Sequence, residues 1–349
     1  MTAERARRLG RLVALAAAAA FACWLPFQLS AFDAGRYDRM GTYALTAIGL
    51  TLLMGFAGQV SLGQGAFFLF GAYTAALLTV GLDPDTRLVD PDAGIDPLLA
   101  LAAAPVVTAV IAALIGIPLL RLRGHYLAFA TLSLHLIAFS LLYAQDRFTG
   151  GQYGITVTKP LEVGSHAVTG ATHAAVVWAL VALAALLAGN LIRSRTGRAL
   201  QAIAGGESAA AATGIHVAAT KLRLFVLAAA LAGLAGGLFA FAIQYVSPDA
   251  FPIVLSLQFV VMVSVGGLGS IYGAIAGAVL IQLLEDELRD LGTRSSLLGW
   301  DLPVTAPSVL SLGVFGLILI LVMLFFPRGV LPAVVGGVDA ARRRVERTS

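Results

Sequence analysis

The residues best placed to do chemistry are polar groups inside otherwise apolar runs. Gly41–Leu82 contains no Asp, Glu, Lys or Arg, yet its middle carries Gly55, Gly58, Gln59, Ser61, Gly63, Gln64 and Gly65. Ala250–Leu284 is equally free of formal charge and is interrupted by Gly266, Gly267, Gly269, Ser270 and Gly273. A helix broken inside such a run exposes N–H and C=O groups, which can hold the charged ends of a small ligand without a charged side chain. Gln59, Ser61 and Gln64 add neutral donors and acceptors. The competing reading is close helix packing through small residues. It is the better one for Gly233, Gly236 and Gly237, and the two readings are evenly matched for Gly266–Gly273. Ligand contact is assigned to Gln59, Ser61 and Gln64.

Other chemistries lack their residues. HExxH, CxxC, GxSxG and GxxxxGK[ST] are all absent, and the two lysines, Lys159 and Lys221, stand outside any glycine-rich phosphate loop. Cys23 is the lone cysteine and lies in an apolar run, which excludes a disulfide framework and a Cys-based metal site. No catalytic residue, resident cofactor or metal ligand is expected in this chain. Asp and Glu are absent from the interior of every predicted span, so a proton relay lacks its usual groups. His135 lies well inside a span and reads as a core histidine bonded to a neighbouring helix; His125 and His173 fall near span ends.

The elements that hold these residues follow from composition. Of 349 residues, 59% are hydrophobic and 12% charged, about half the charge of an average soluble domain. A water-soluble enzyme is excluded. The net charge of +4 comes from basic clusters between apolar runs, which points to membrane orientation and not to nucleic acid. Single spans are predicted at Leu12–Ser30, Pro97–Leu120, Gly124–Ala144, His173–Ile192, Leu224–Tyr245 and Pro303–Phe326. The two long runs exceed one crossing and split at their glycine-rich middles. The chain reads as all-α, a polytopic integral membrane protein with about ten transmembrane helices and two broken or re-entrant Gly-rich runs.

Charge parity supports ten crossings with both termini inside: 16 of the 23 Lys and Arg then lie inside, as cytoplasmic segments prefer. The organisation is a basic N-terminus 1–11, a membrane domain 12–327 and a basic tail 328–349. The inner loop is 193–223, and the outer loops are 83–96, 145–172 and 285–301. Four arginines before an Ala-rich run also fit a secretory signal; a retained helix is expected, because the run reaches membrane length without a clear polar cleavage region.

The inner loop holds two Ala-rich helical pieces, near Arg198–Ala204 and Glu207–Thr213, around Gly205-Gly206. Glu207 suits the first turn of the second piece, and Gly214 suits its left-handed end. Glu207-x-Ala209-Ala210-x-x-x-Gly214-Ile215 resembles the EAA-type coupling loop of bacterial ABC importer permeases. Gly197-Arg198-Ala199-Leu200, Gly58-Gln59-Val60-Ser61, Gly71-Ala72-Tyr73, Leu122-Arg123-Gly124, Thr149-Gly150-Gly151, Ser247-Pro248-Asp249 and Gly266-Gly267-Leu268-Gly269-Ser270 extend the likeness, in order, to LivM-type permeases of branched-chain amino-acid uptake. One departure is Ala204-Gly205-Gly206, where the family carries charged or amide side chains before the loop glutamate.

The resemblance implies a permease subunit that forms a translocation pathway by alternating access in the bacterial inner membrane. It implies as partners two cytoplasmic ATP-binding subunits, which carry ATP and Mg, a homologous permease subunit and a periplasmic solute-binding protein. Gly58, Gln59, Ser61, Gly63, Gln64, Gly266, Gly267, Gly269 and Ser270 become pathway residues. Arg198, Glu207, Ala209, Ala210, Gly214 and Ile215 become the ATPase coupling surface, and Thr149, Gly150 and Gly151 the loop facing the binding protein. A zwitterionic amino acid fits exposed helix ends and an apolar wall. The alternatives are an ion-coupled secondary carrier, a related permease for amides or urea, and an assembly subunit without a pathway; a plain Ala-rich connector is the alternative for 207–215.

Overall fold

A computed structural model describes residues 16–81, 94–122, 124–163 and 166–292, with residues 296–297, 300–301, 316–317, 320 and 324 beyond them. The predicted N-terminus 1–11, most of loop 83–96, nearly all of the span Pro303–Phe326 and the tail 328–349 lie outside the described residues. The described chain is all-α. Its helices are α1 (Ala16–Gln28), α2 (Ala31–Thr51), α3 (Gln64–Val80), α4 (Pro97–Leu119), α5 (His125–Ala144), the short α6 (Asp146–Thr149), α7 (Ala171–Arg193), α8 (Arg195–Gly205), α9 (Glu207–Ala212), α10 (Val217–Ile243), α11 (Ile253–Gly266) and α12 (Ile271–Gly292). Among the described residues, five helical segments are long and apolar enough to cross a membrane: α4, α5, α7, α10 and Pro248–Gly266.

Two helices outrun the hydropathy pattern. α2 begins at Ala31 and not near Gly41, because Ser30 caps it: the Ser30 Oγ accepts the Asp33 N–H at 3.2 Å. α12 continues through Glu285–Gly292, which the sequence placed in an outer loop. Charges ended the apolar runs but do not end the helices, because several of them meet partners. Arg36 forks onto Asp290 at 2.7 and 2.8 Å, His173 Nδ1 lies 3.1 Å from Asp38, and Glu285 accepts from Arg289 one turn on and from Gln258 of α11. Asp38 and Asp286 are both 4% exposed, so acidic groups do enter the helix bundle.

α10 is the central helix, packed on α2, α3 and α4. Lipid tails are as apolar as the helices, so association depends on close packing. Glycines supply it. A Cβ at Gly71 would collide with the Gly233 backbone, one at Gly233 with Thr108, and one at Gly236 with the Phe68 carbonyl. The packing role expected of Gly233 and Gly236 is thereby met. An aromatic cluster of Tyr43, Phe68, Phe239, Phe251 and Phe259 fills the space above, with ring centroids 5.3–6.4 Å apart among its neighbours.

Gly236→Val should destabilise the protein by about 1–3 kcal/mol through overpacking, read as a lowered thermal transition in detergent. Gly189→Ala, whose added Cβ meets nothing within 4 Å, should leave that transition unchanged.

Candidate functional site

The first break is built where α2 gives way to α3. The wider turn Leu52–Phe56 ends α2, and the Gln59 N–H reaches back to the Leu53 carbonyl at 2.9 Å. Gly58 takes a left-handed φ of 63°, which costs a glycine little. The segment then runs against α5: the Leu62 N–H donates to Thr131 Oγ1 at 2.9 Å, and a Cβ at Gly63 would lie 2.8 Å from the Thr131 carbonyl.

α3 starts at mid-height of α5, and three groups fix it there. The Gly65 N–H donates to Ser256 Oγ at 3.0 Å, and Ser256 Oγ lies 2.7 Å from His135 Nδ1. His135 Nε2 lies 3.2 Å from the Phe251 carbonyl. A carbonyl only accepts, so Nε2 carries the hydrogen; burial favours the neutral ring, whose Nδ1 then accepts from the Ser256 hydroxyl. A Cβ at Gly65 would sit 2.5 Å from the ring and 2.6 Å from Ser256 Oγ, so glycine is required. Ser256 lies in the first turn of α11, which itself starts at mid-height after the bend Ser247–Pro252. Two interrupted helices therefore begin at one place. His135 is the core histidine expected, bonded to a neighbouring helix.

Around this junction the structure gathers Gln59, Ser61 and Gln64, which are 4%, 2% and 0% exposed. The amide nitrogen and oxygen of both glutamines and the Ser61 hydroxyl are buried without a protein partner. Each orphaned group costs about 1–3 kcal/mol. Gly266, Gly267, Gly269 and Ser270 are placed elsewhere. They form the tight α11–α12 turn, with Gly267 and Gly269 at positive φ and Ser270 Oγ accepting the Gly273 N–H at 3.0 Å. A Cβ at Gly55 would collide with Gly269, so this turn packs on the end of α2. The run 250–284 is thus broken at its glycine-rich middle, as expected, and a further discontinuity lies before Ile253.

α8 and α9 match the two helical pieces expected. Gly214, at φ 84°, ends α9 with a paired motif: its N–H donates to the Ala211 carbonyl at 3.0 Å and the Ile215 N–H to the Ala210 carbonyl at 3.3 Å. Arg198, Ala209 and Gly214 are exposed, Ala210 is buried and Ile215 half-buried. Glu207 stays partly exposed and is ion-paired with Lys221 of α10. Ala204 of α8 lies 3.7 Å from a Cβ placed on Gly58. The α8–α9 surface therefore touches both the central helix and the broken segment.

The family model described as "Branched-chain amino acid transport system / permease component" matches residues 39–323. This chain belongs to that family. It is 33% identical over 316 residues to the high-affinity branched-chain amino acid transport system permease protein LivM of Escherichia coli K12, covering 83% of this chain and 68% of that protein. It is 31% identical to LivM of Salmonella typhimurium, covering 88% and 72%, and 29% identical to the LivH permease of Escherichia coli K12, covering 83% and 91%. No solved structure matches it significantly.

In this permease Thr149 is 3% exposed, and its hydroxyl donates to the carbonyls of Leu142 and Gln145. With Gly150 and Gly151 at positive φ, it shapes the 145–172 loop, while Tyr153, 86% exposed, presents that loop's surface. The loop is tied to the end of α10 by pairing of Ile155–Thr156 with Tyr245–Val246. Sequence reasoning missed Ser256, Thr131 and the Glu207–Lys221 pair. A polar residue four places into a helix that follows Pro252 was the available sign for Ser256; nothing local marks Lys221 as the partner of Glu207.

Gln59→Leu with Gln64→Leu should cut uptake at least about tenfold while thermal stability is unchanged or raised, because apolar isosteres remove the cost of orphaned amides. Uptake kinetics and a detergent melt on the same preparation check both outcomes.

Proposed function

We propose that this permease is the membrane conduit of an ATP-driven importer for branched-chain amino acids, working by alternating access in a bacterial inner membrane with both termini cytoplasmic. Its partners in this reading are two cytoplasmic ATP-binding subunits, a second homologous permease and a periplasmic solute-binding protein. ATP, with Mg, is bound and hydrolysed on the ATP-binding subunits, and this chain performs no covalent chemistry. The observation that carries the reading is the set of buried, unpartnered polar groups of Gln59, Ser61 and Gln64 inside an apolar bundle. They suit a zwitterion's charged ends, and neighbouring Leu, Val and Phe side chains suit an aliphatic side chain.

The same segment meets α8 through Gly58 and Ala204, and α9 is tied to α10 through Glu207 and Lys221. A movement imposed on α8–α9 by the ATP-binding subunits would reach the broken helix directly and the central helix through the ion pair. The relatives named LivM and LivH are described as branched-chain amino acid permeases, which supports the substrate class.

Proteoliposomes holding both permeases, the ATP-binding subunits and the binding protein should accumulate leucine only with ATP inside. Accumulation driven by an ion gradient without the ATP-binding subunits would overturn the reading. In the same vesicles Glu207→Lys and Lys221→Glu should each reduce uptake to background, and the double exchange should restore a large part of it. Failure of the exchange to restore any uptake counts against the ion pair as the link to α10.

A further inference from the structure

At the end of the bundle opposite α8–α9, a cavity of about 390 Å³ lies between the start of α2, the start of α7 and the end of α10. That volume is within the range of small-molecule sites. Gly35, Arg36 and Arg39 face it from one stripe of α2, with Asp38 beside them, His173 from α7, and Phe239 and Phe241 from α10.

The charges here are not equivalent. Arg36 is committed: it forks onto Asp290 and lies 4.5 Å from the centre of the Phe32 ring. Arg39 has no ion-pair partner among the described residues. Asp38 is 4% exposed and holds His173 Nδ1 at 3.1 Å. That bond places a hydrogen on His173 Nδ1 and holds the Asp38 carboxylate at the cavity wall. His173 is 3% exposed, and its Nε2 has no partner in the protein. One wall therefore offers a guanidinium fork, suited to a carboxylate. Another offers the Asp38 carboxylate, steadied by His173 and suited to an ammonium, and the aromatic side chains suit an aliphatic group.

We propose that this cavity is a receiving site for a zwitterionic α-amino acid at the mouth of the conduit. Arg39 takes the carboxylate, Asp38, held by His173, takes the ammonium, and Phe239 and Phe241 take the side chain. The site is separate from the Gln59–Gln64 junction at mid-height, and it rests on the reading of the chain as an amino-acid conduit.

Gly35 supplies the probe, because a Cβ there meets nothing within 4 Å and Cys23 is the chain's lone cysteine. In the assembled importer carrying Cys23→Ser and Gly35→Cys, modification by a small methanethiosulfonate is timed with and without L-leucine. Leucine in about tenfold excess over its Kd should slow modification roughly tenfold by mass action. 4-Methylpentanoate, which lacks the ammonium, and 3-methylbutylamine, which lacks the carboxylate, should protect far less. Arg39→Gln and Asp38→Asn should abolish protection by leucine, each judged against its own unprotected rate, with a detergent melt reporting the fold. Equal rates with and without leucine, or equal protection by the singly charged analogues, would overturn the proposal. ATP-driven leucine uptake is measured on the same vesicles. Uptake without protection overturns the cavity assignment and leaves the conduit reading standing, whereas protection without uptake supports the cavity and overturns the conduit reading.

Discussion

A peptide group halfway along an apolar bundle has no water to bond, so an interrupted helix survives only where protein groups take over its hydrogen bonds. The Gly65 N–H, Ser256, His135 and the Phe251 carbonyl form that replacement, and they join the starts of α3 and α11 to the middle of α5. The glycine at position 65 is a consequence, since any Cβ would strike the imidazole. So is the neighbourhood of Gln59, Ser61 and Gln64. Once the chain is held extended beside α5, their side chains fall inside the bundle, where they find no protein partner.

The rest of the architecture relates this junction to the two ends of the molecule. At one end α8 lies against the broken segment, and α9 is linked by charge to α10. α10 reaches the other end, where it borders the cavity shared with α2 and α7. Its small residues let α3 and α4 approach so closely that a displacement of α10 cannot be absorbed by loose packing. Paired charges near these ends include Arg36 with Asp290, Asp38 with His173, and Glu207 with Lys221. The junction itself carries neutral donors and acceptors.

Much of this was legible in the amino-acid sequence. Charge-free runs interrupted by Gly, Gln and Ser marked the first break, because few residues besides glycine permit the φ of Gly58 or the contact at Gly65. Gly214 marked the end of α9 for the same reason. Helix bounds were less legible. Hydropathy registers the charge of Arg36, Asp38 and Asp290 but not the partner on another helix that pairs with it, so α2 and α12 are longer than their apolar runs. Gly266–Ser270 marked the break between α11 and α12, whereas the further discontinuity before Ile253, where Ser247–Pro252 holds the chain out of helix, was less legible. Glu207 was legible as a first-turn anion, but its partner Lys221 is a long-range fact that local pattern does not contain.

The junction is tested most directly by a double-mutant cycle on Ser256 and His135, with Ser256→Ala and His135→Phe made singly and together and unfolding free energies measured in detergent. A shared hydrogen-bond chain predicts a coupling of about 0.5–3 kcal/mol between the two sites. Strictly additive losses would contradict it, and with it the claim that the two interrupted helices are pinned as one unit.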